Sequence, residues 1–174
     1  GGVIQGRNNL TLRTPESFRE NYRVTVKVNS EVVKIDRETK TVLVRDLISG
    51  AEYEDSYDKL LLSPGARPIR PNLPGIDSKR IHTLRTVEDT LELRRIAENE
   101  APKSAVVIGG GFIGLEMAEN LADLGIDTSI VVRSKQLLPP LDEDMAHLIH
   151  TEFRNHGVQL LFGRNTASYP HGIP

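Results

Sequence analysis

The fold is decided by Val106-Val107-Ile108-Gly109-Gly110-Gly111-Phe112-Ile113-Gly114, where a short apolar run enters a glycine turn. Residues 105–108 are apolar and predict a buried strand. After the turn, apolar residues recur at helical spacing as far as Gly125, a typical helix stop. The stretch therefore predicts a strand, a tight turn and a helix in succession.

The context of this turn predicts a ligand, although GxGxxG alone is a weak signal. A second apolar strand, residues 128–132, ends about 20 residues further on, as in dinucleotide-binding units. Gly109 would permit the tight turn, Gly111 would let the backbone approach a pyrophosphate, and Gly114 would let helix and strand pack closely. Free N–H groups at the helix start would bind the phosphates. The alternative is a glycine-rich turn without a ligand.

The end of the second strand predicts which dinucleotide binds. NAD sites usually carry Asp or Glu there, but Val132 occupies the position and Arg133 follows. An acid would repel a 2′-phosphate, whereas a guanidinium can pair with one. We therefore expect NADPH rather than NADH, with Lys135 as a second charge. The alternative is that Arg133 is an ordinary solvated residue.

The rest of the second half alternates helices and strands. Thr86 and Asp89 have the form of a capping box that opens a helix to about Asn99. Acidic residues from Asp142 open a last helix towards Asn155, and a third apolar strand covers 158–162. This order predicts an α/β fold with a Rossmann-like parallel sheet.

The first half reads differently, as a short helix followed by strands. Thr14 can cap a helix over residues 15–21. Short apolar or alternating runs separated by turn residues then predict an antiparallel β-meander. These runs are 24–28, 32–35, 42–44 and 51–57. A fully buried strand is expected at 59–63.

A proline-rich connector joins the halves, with Pro64, Pro68, Pro71 and Pro74 in quick succession. We place the domain boundary near residues 70–80 and expect domains at 1–78 and 79–174. The alternative is a proline-rich surface loop within one domain.

Composition excludes several classes of protein. With 22 basic and 24 acidic residues and a net charge of −2, the chain lacks the basic excess of a nucleic-acid binder. It has no apolar run of membrane-spanning length and no cysteine, so disulfides and thiol nucleophiles are excluded within these 174 residues. We expect a soluble, cytoplasmic protein without membrane or nucleic-acid partners.

Three features together carry a family resemblance. The segment YDKLLLSPGA at 57–66, the proline connector and GGGFIGLEMAENL at 109–121 are similar to the FAD-dependent pyridine nucleotide-disulfide oxidoreductases. The chain most resembles the coenzyme A-disulfide reductase and NADH oxidase branch. The resemblance implies an NAD(P) domain with the parallel sheet, and a partial FAD-binding domain that contributes the meander.

The resemblance also implies residue roles. Flavin contacts fall on Ser63, Pro64 and Gly65, and an FAD-adenine approach falls on Val32 and Val33. The implied NAD(P) set is Ile108, Gly109, Gly110, Gly111, Phe112, Ile113, Gly114, Glu116, Arg133, Ser134 and Lys135. Within it, Phe112 and Ile113 would lie near nicotinamide and flavin, and Glu116 near the carboxamide. Arg19, Tyr22 and Arg23 would touch a coenzyme A substrate, or are simply exposed helix-end residues.

The family's first glycine fingerprint and its redox cysteine do not occur in this sequence, so we expect an internal fragment that is inactive alone. The parent enzyme, expected to be a homodimer, would pass hydride from NADPH to FAD and then to a small-molecule disulfide. The alternatives are an NADH oxidase of the same family or a standalone nucleotide-binding module. No metal site is expected: Glu143, His147 and His150, with His156 nearby, are interpreted as a solvated helix face.

Overall fold

The computed structural model describes residue 10 and residues 12–170. The chain divides into two compact units between Ala66 and Arg67, earlier than the expected boundary at 78/79. Near the end of the chain, the N–H of Tyr169 donates to the carbonyl oxygen of Pro74 at 2.7 Å. That contact ties the connector to the second unit.

The first unit contains a helix and a three-stranded antiparallel sheet. Helix α1 (Pro15–Tyr22) begins at Thr14, whose side chain accepts from the N–H of Ser17 in a capping box. Strands β1 (Ser30–Asp36), β2 (Thr41–Asp46) and β3 (Glu52–Ser56) pair in chain order, with a bulge between Val32 and Lys34. The predicted meander is confirmed.

Two predicted strands in this unit are wrong. The run 24–28 and the run 59–63 are both outside any strand, and Leu61 is 88% exposed rather than buried. A strand is defined by its ladder partner, and among the described residues no strand pairs with either run. The alternation of residues 24–28 and the apolar composition of residues 59–63 predicted extended chain. Neither pattern indicates whether a neighbouring strand is present to pair with it.

The second unit alternates helices and strands as predicted. Helix α2 (Val87–Arg95) is capped by Thr86 and continues into a single π turn, Ile96–Glu100. The remaining elements are β4 (Ser104–Ile108), α3 (Phe112–Asp123), β5 (Asp127–Val131), α4 (Glu143–Asn155) and β6 (Gln159–Leu161). The three strands are parallel in the order β4-β5-β6, so the carboxyl ends of all three lie at one edge.

The core of this unit lies where α3 and α4 contact the sheet. Its buried members are Leu115, Ala118, Ile130, Val132, Leu137, Leu138 and Val158. Ile130 on the central strand β5 has no exposed surface. Among the described helices, none is both long and apolar enough to cross a membrane.

Candidate dinucleotide site

The glycine turn begins where β4 ends. Gly109 has a φ of +116°, in the region that favours glycine, and its N–H donates to Val131 at 2.9 Å. The chain thus leaves the sheet sharply while β4 and β5 remain bonded. This is the geometry for which Gly109 was predicted.

The next glycines differ in what surrounds them. A Cβ atom on Gly114 would collide with the carbonyl oxygen of Gly109 and lie 3.4 Å from Val107 Cγ1, so the helix start packs tightly on the strand. A Cβ on Gly111 would meet nothing within 4 Å. Gly111 is also the N-cap of α3, and no side chain caps this helix end. The open space beside uncapped N–H groups fits a phosphate.

Gly110 has a packing role that the motif did not indicate. A Cβ here would come within 2.6 Å of Val132 Cγ1 and 2.9 Å of Leu137 Cδ2. Its carbonyl oxygen also accepts the N–H of Leu138 at 2.8 Å. Gly110 therefore holds the loop that follows β5. In GxGxxG this position is unrestricted, so only the absence of a side chain could have suggested the contact.

The loop after β5 carries the predicted selectivity residues. Arg133 and Lys135 are exposed, and neither forms an ion pair within the part of the chain that the structure describes. Ser134 is fixed more firmly: its hydroxyl donates to the carbonyl oxygen of Gln136 at 2.6 Å, and its own carbonyl accepts the N–H of Gly163 at 3.1 Å. The glycine turn and this loop follow adjacent parallel strands at the same sheet edge. Parallel α/β sheets bind their ligands at that edge.

The remaining predicted nucleotide-site residues lie at or just after the turn. Ile108 ends β4, and Phe112 and Ile113 open α3 with most of their surface exposed, Phe112 to 69%. Glu116, one turn later, is also exposed. Exposed apolar side chains at a strand–helix turn offer a surface for a flat ring system. Their cofactor roles stay predictions.

The interpretation of the α4 histidines as a solvated face is wrong for His150. This side chain is 3% exposed, and its Nε2 accepts the N–H of Leu137 at 3.1 Å. Burial lowers the pKa of His150, and the neighbouring His147 and Arg154 lower it further. His147 is exposed, as expected. In residues 10 and 12–170, no group of His, Asp and Glu is arranged to hold a metal ion.

The predicted flavin residues of the first unit are all exposed. Val32 and Val33 lie on β1 at the bulge, while Ser63, Pro64 and Gly65 lie in extended chain, with Gly65 at a φ of +71°. Their roles toward FAD stay predictions.

The predicted substrate residues gather at the end of α1. Arg19 and Tyr22 are exposed, and Arg23 ends the helix in a left-handed conformation, donating its N–H to Arg19. The guanidinium carbon of Arg13 lies 5.8 Å from the centroid of the Tyr22 ring. Arg13 precedes the helix, where helical spacing gives no signal, and the sequence did not predict this contact with Tyr22. The contact of Arg19, Tyr22 and Arg23 with a substrate stays a prediction.

Known proteins match this chain over nearly its whole length. The family model described as pyridine nucleotide-disulphide oxidoreductase matches residues 4–169. The coenzyme A disulfide reductase of Staphylococcus haemolyticus is 38% identical over 152 residues, covering 87% of this chain and 34% of the relative. That of Staphylococcus epidermidis is 35% identical over 167 residues, covering 96% and 37%.

Solved structures of other proteins are similar to this chain as well. Reduced CoADR-RHD of Bacillus anthracis superposes with a TM-score of 0.91 at 40% identity, covering 99% of this chain and 31% of that one. The water-forming NADH oxidase of Lactobacillus brevis bound to NADH gives 0.87 at 34% identity, covering 97% and 37%. The chain thus spans about a third of the length of these relatives. A family match across almost all of its residues, a shared fold and the glycine turn make it a member of the pyridine nucleotide-disulphide oxidoreductases.

Proposed function

We propose that this chain is the dinucleotide-binding part of an NADPH- and FAD-dependent disulfide reductase acting on coenzyme A disulfide. The nucleotide half of the proposal is supported by the open, uncapped start of α3 beside Gly111. The substrate half is supported by the two staphylococcal relatives, which are coenzyme A disulfide reductases.

The preference for NADPH is supported by a comparison between two relatives. An engineered water-forming NADPH oxidase, bound to NADPH, was made from the Lactobacillus brevis NADH oxidase. Its substitutions at three successive positions turn Asp-Ala-Met into Ala-Arg-Ser. This chain reads Val132-Arg133-Ser134, which has the same order of an apolar residue, arginine and serine. At the spacings of the two remaining substitutions, glycine to alanine and proline to arginine, this chain keeps Gly114 and Pro139. The proposal therefore rests on Arg133 and Ser134.

In this proposal the chain's own residues bind and orient the cofactor. The first-turn N–H groups of α3 hold the pyrophosphate, and Arg133 pairs with the 2′-phosphate. Phe112 and Ile113 would shield the nicotinamide ring from water. The two cofactors supply the hydride chemistry. The sequence contains no cysteine, so we assign the redox thiol to residues outside these 174.

Titration of the chain with NADPH and NADH tests the proposal. We expect Arg133→Ala to raise the Kd for NADPH about tenfold or more, the value of a charge-assisted contact, with the NADH Kd within twofold of wild type. Lys103→Ala is the matched control: it removes an exposed cation just before β4, at the opposite edge of the same sheet. An unchanged NADPH Kd in Arg133→Ala would contradict the role of this residue.

A second candidate is a water-forming oxidase, favoured by the TM-score of 0.87 with the Lactobacillus brevis enzyme. The acceptor separates the two candidates. With the whole parent enzyme, oxidation of NADPH in air without added disulfide would favour the oxidase. Oxidation that depends on coenzyme A disulfide would favour the reductase.

A further inference from the structure

His150 forms a buried contact between α4 and the loop that follows β5. Its Nε2 accepts the N–H of Leu137 at 3.1 Å, and its ring lies 4.8 Å from the Phe162 ring, centroid to centroid. A ring nitrogen that accepts a hydrogen bond carries no proton, so the imidazole is neutral in this arrangement. The helix thus offers one buried acceptor to one loop N–H.

The same loop is bonded on its other side to the glycine turn. The residue after Leu137 donates its N–H to Gly110, the contact already described for Leu138. Leu138 is buried with a φ of +45°, a left-handed conformation that costs free energy in any residue with a Cβ. Such a conformation persists only where its surroundings hold it. The hydrogen bonds of Leu137 to α4 and of Leu138 to the glycine turn are two such restraints.

This loop begins with the residues assigned to the 2′-phosphate. From Arg133 to Leu137 there are only four steps of chain, and Ser134 and Gln136 are joined by the side-chain bond described above. A loop held at Leu137 therefore presents Arg133 and Ser134 in a fixed place relative to the helix start. Selective binding depends on such pre-organisation.

We propose that His150 is a positioning residue for dinucleotide selectivity: its neutral imidazole holds the loop 133–141 on the glycine turn so that Arg133 and Ser134 meet the 2′-phosphate. The role rests on the proposed function, because it requires NADPH at this turn. His150 itself makes no contact with the dinucleotide in this scheme.

Amide hydrogen exchange tests the contact without any ligand. We compare the 174-residue wild type with His150→Leu, which keeps an apolar volume but has no acceptor, and with His150→Gln, whose amide oxygen can replace Nε2. His147→Leu, one turn earlier and exposed, is the matched control. We expect Leu137 and Leu138 to exchange faster in His150→Leu, with Ala118 in α3 unchanged and protection largely restored in His150→Gln.

Binding of NADPH and NADH to the same four proteins tests the consequence. In His150→Leu we expect the Kd for NADPH to rise about fivefold while the Kd for NADH stays within twofold. His150→Gln should recover most of the NADPH affinity, and His147→Leu should match wild type. A residue that only stabilises the fold would weaken both ligands alike.

The possible results separate the two proposals. Two results would overturn the role of His150 alone. One is unchanged amide exchange at Leu137 in His150→Leu. The other is faster exchange with an unaltered ratio of the NADPH and NADH Kd values, while Arg133→Ala still changes that ratio. Equal wild-type affinities for NADPH and NADH, unaffected by Arg133→Ala, would overturn the proposed nucleotide preference and the selectivity role with it. Faster exchange together with selective, Gln-rescued loss of NADPH binding supports the proposal.

Discussion

The two units of this chain are stabilised by different interactions. Within the described residues, Val44 is the one buried apolar side chain of the first unit, whereas the second unit buries ten. The first unit relies on its antiparallel ladder and on exposed ion pairs, such as Lys27 with Asp55 at 2.6 Å and Arg45 with Glu52 at 2.8 Å. Exposed pairs contribute at most about 1 kcal/mol each. The comparison teaches that the second unit, which carries the glycine turn, has a core of its own, and that the first unit has almost none.

The largest effects on the free energy of unfolding are expected from removing buried side-chain volume, which tests whether the cores of the two units differ. We expect Ile130→Ala to lower the free energy of unfolding of the second unit by about 4 kcal/mol, because it leaves a cavity on the central strand. Val44→Ala in the first unit should cost about 1.5 kcal/mol, the transfer free energy of two buried methyl groups. Urea unfolding, followed by amide resonances of each unit, measures both values. An equal loss in the two units would contradict the difference in their cores.

Within the second unit, alanine substitutions at the adjacent Gly110 and Gly111 should differ in their effect on stability. We expect Gly110→Ala to lower the free energy of unfolding by about 2 kcal/mol, because the added methyl overlaps Val132 and Leu137. Gly111→Ala, the matched control, has nothing within 4 Å and should cost less than about 1 kcal/mol. Thermal or urea unfolding provides the measurement. If the two variants were equally stable, the loop after β5 would not be packed on Gly110.

Acid should affect the second unit through His150. Its pKa is lowered in the folded state from an ordinary 6.5 by burial and by His147 and Arg154, so the unfolded chain binds a proton more readily. The stabilisation is therefore fully present above pH 6.5 and is lost as the pH falls through the folded pKa. We expect a loss on the order of 1 kcal/mol, the net contribution of the Leu137 hydrogen bond. Chemical unfolding between pH 7.5 and about 5 of wild type and His150→Gln measures it, since glutamine does not titrate. Identical pH profiles would show that His150 does not couple the loop to pH.

Helices and strands could be predicted where their own sequence carries a cap or a regular apolar spacing. The capping box at Thr14 and the alternation of strand and helix after residue 104 gave elements within one or two residues of those observed. The helix expected from Thr86 to about Asn99 is α-helical only as far as Arg95 and continues as a π turn to Glu100. The run 59–63 failed because an apolar segment does not specify which strand it pairs with.

In the candidate site, too, some residue roles could be predicted from the sequence and others could not. Gly109 and Gly114 could be predicted because a turn and a close helix–strand contact have backbone requirements that only glycine meets. The packing role of Gly110 and the acceptor role of His150 could not be predicted, because each acts through a loop whose path is set by tertiary packing. His150 in particular lies next to the exposed His147 on the same helix, and spacing alone does not distinguish a buried acceptor from a solvated ring.

The contact between Tyr169 and Pro74 has a consequence for the order of folding. These residues lie near the two ends of the second unit, so the contact closes a loop that contains every strand and helix of that unit. Closing so long a loop carries a large entropic cost that only earlier contacts can offset. We therefore expect the parallel sheet to assemble before the contact between Tyr169 and Pro74 forms. We expect the same contact to open first on unfolding, which faster amide exchange at Tyr169 than in β5 would show.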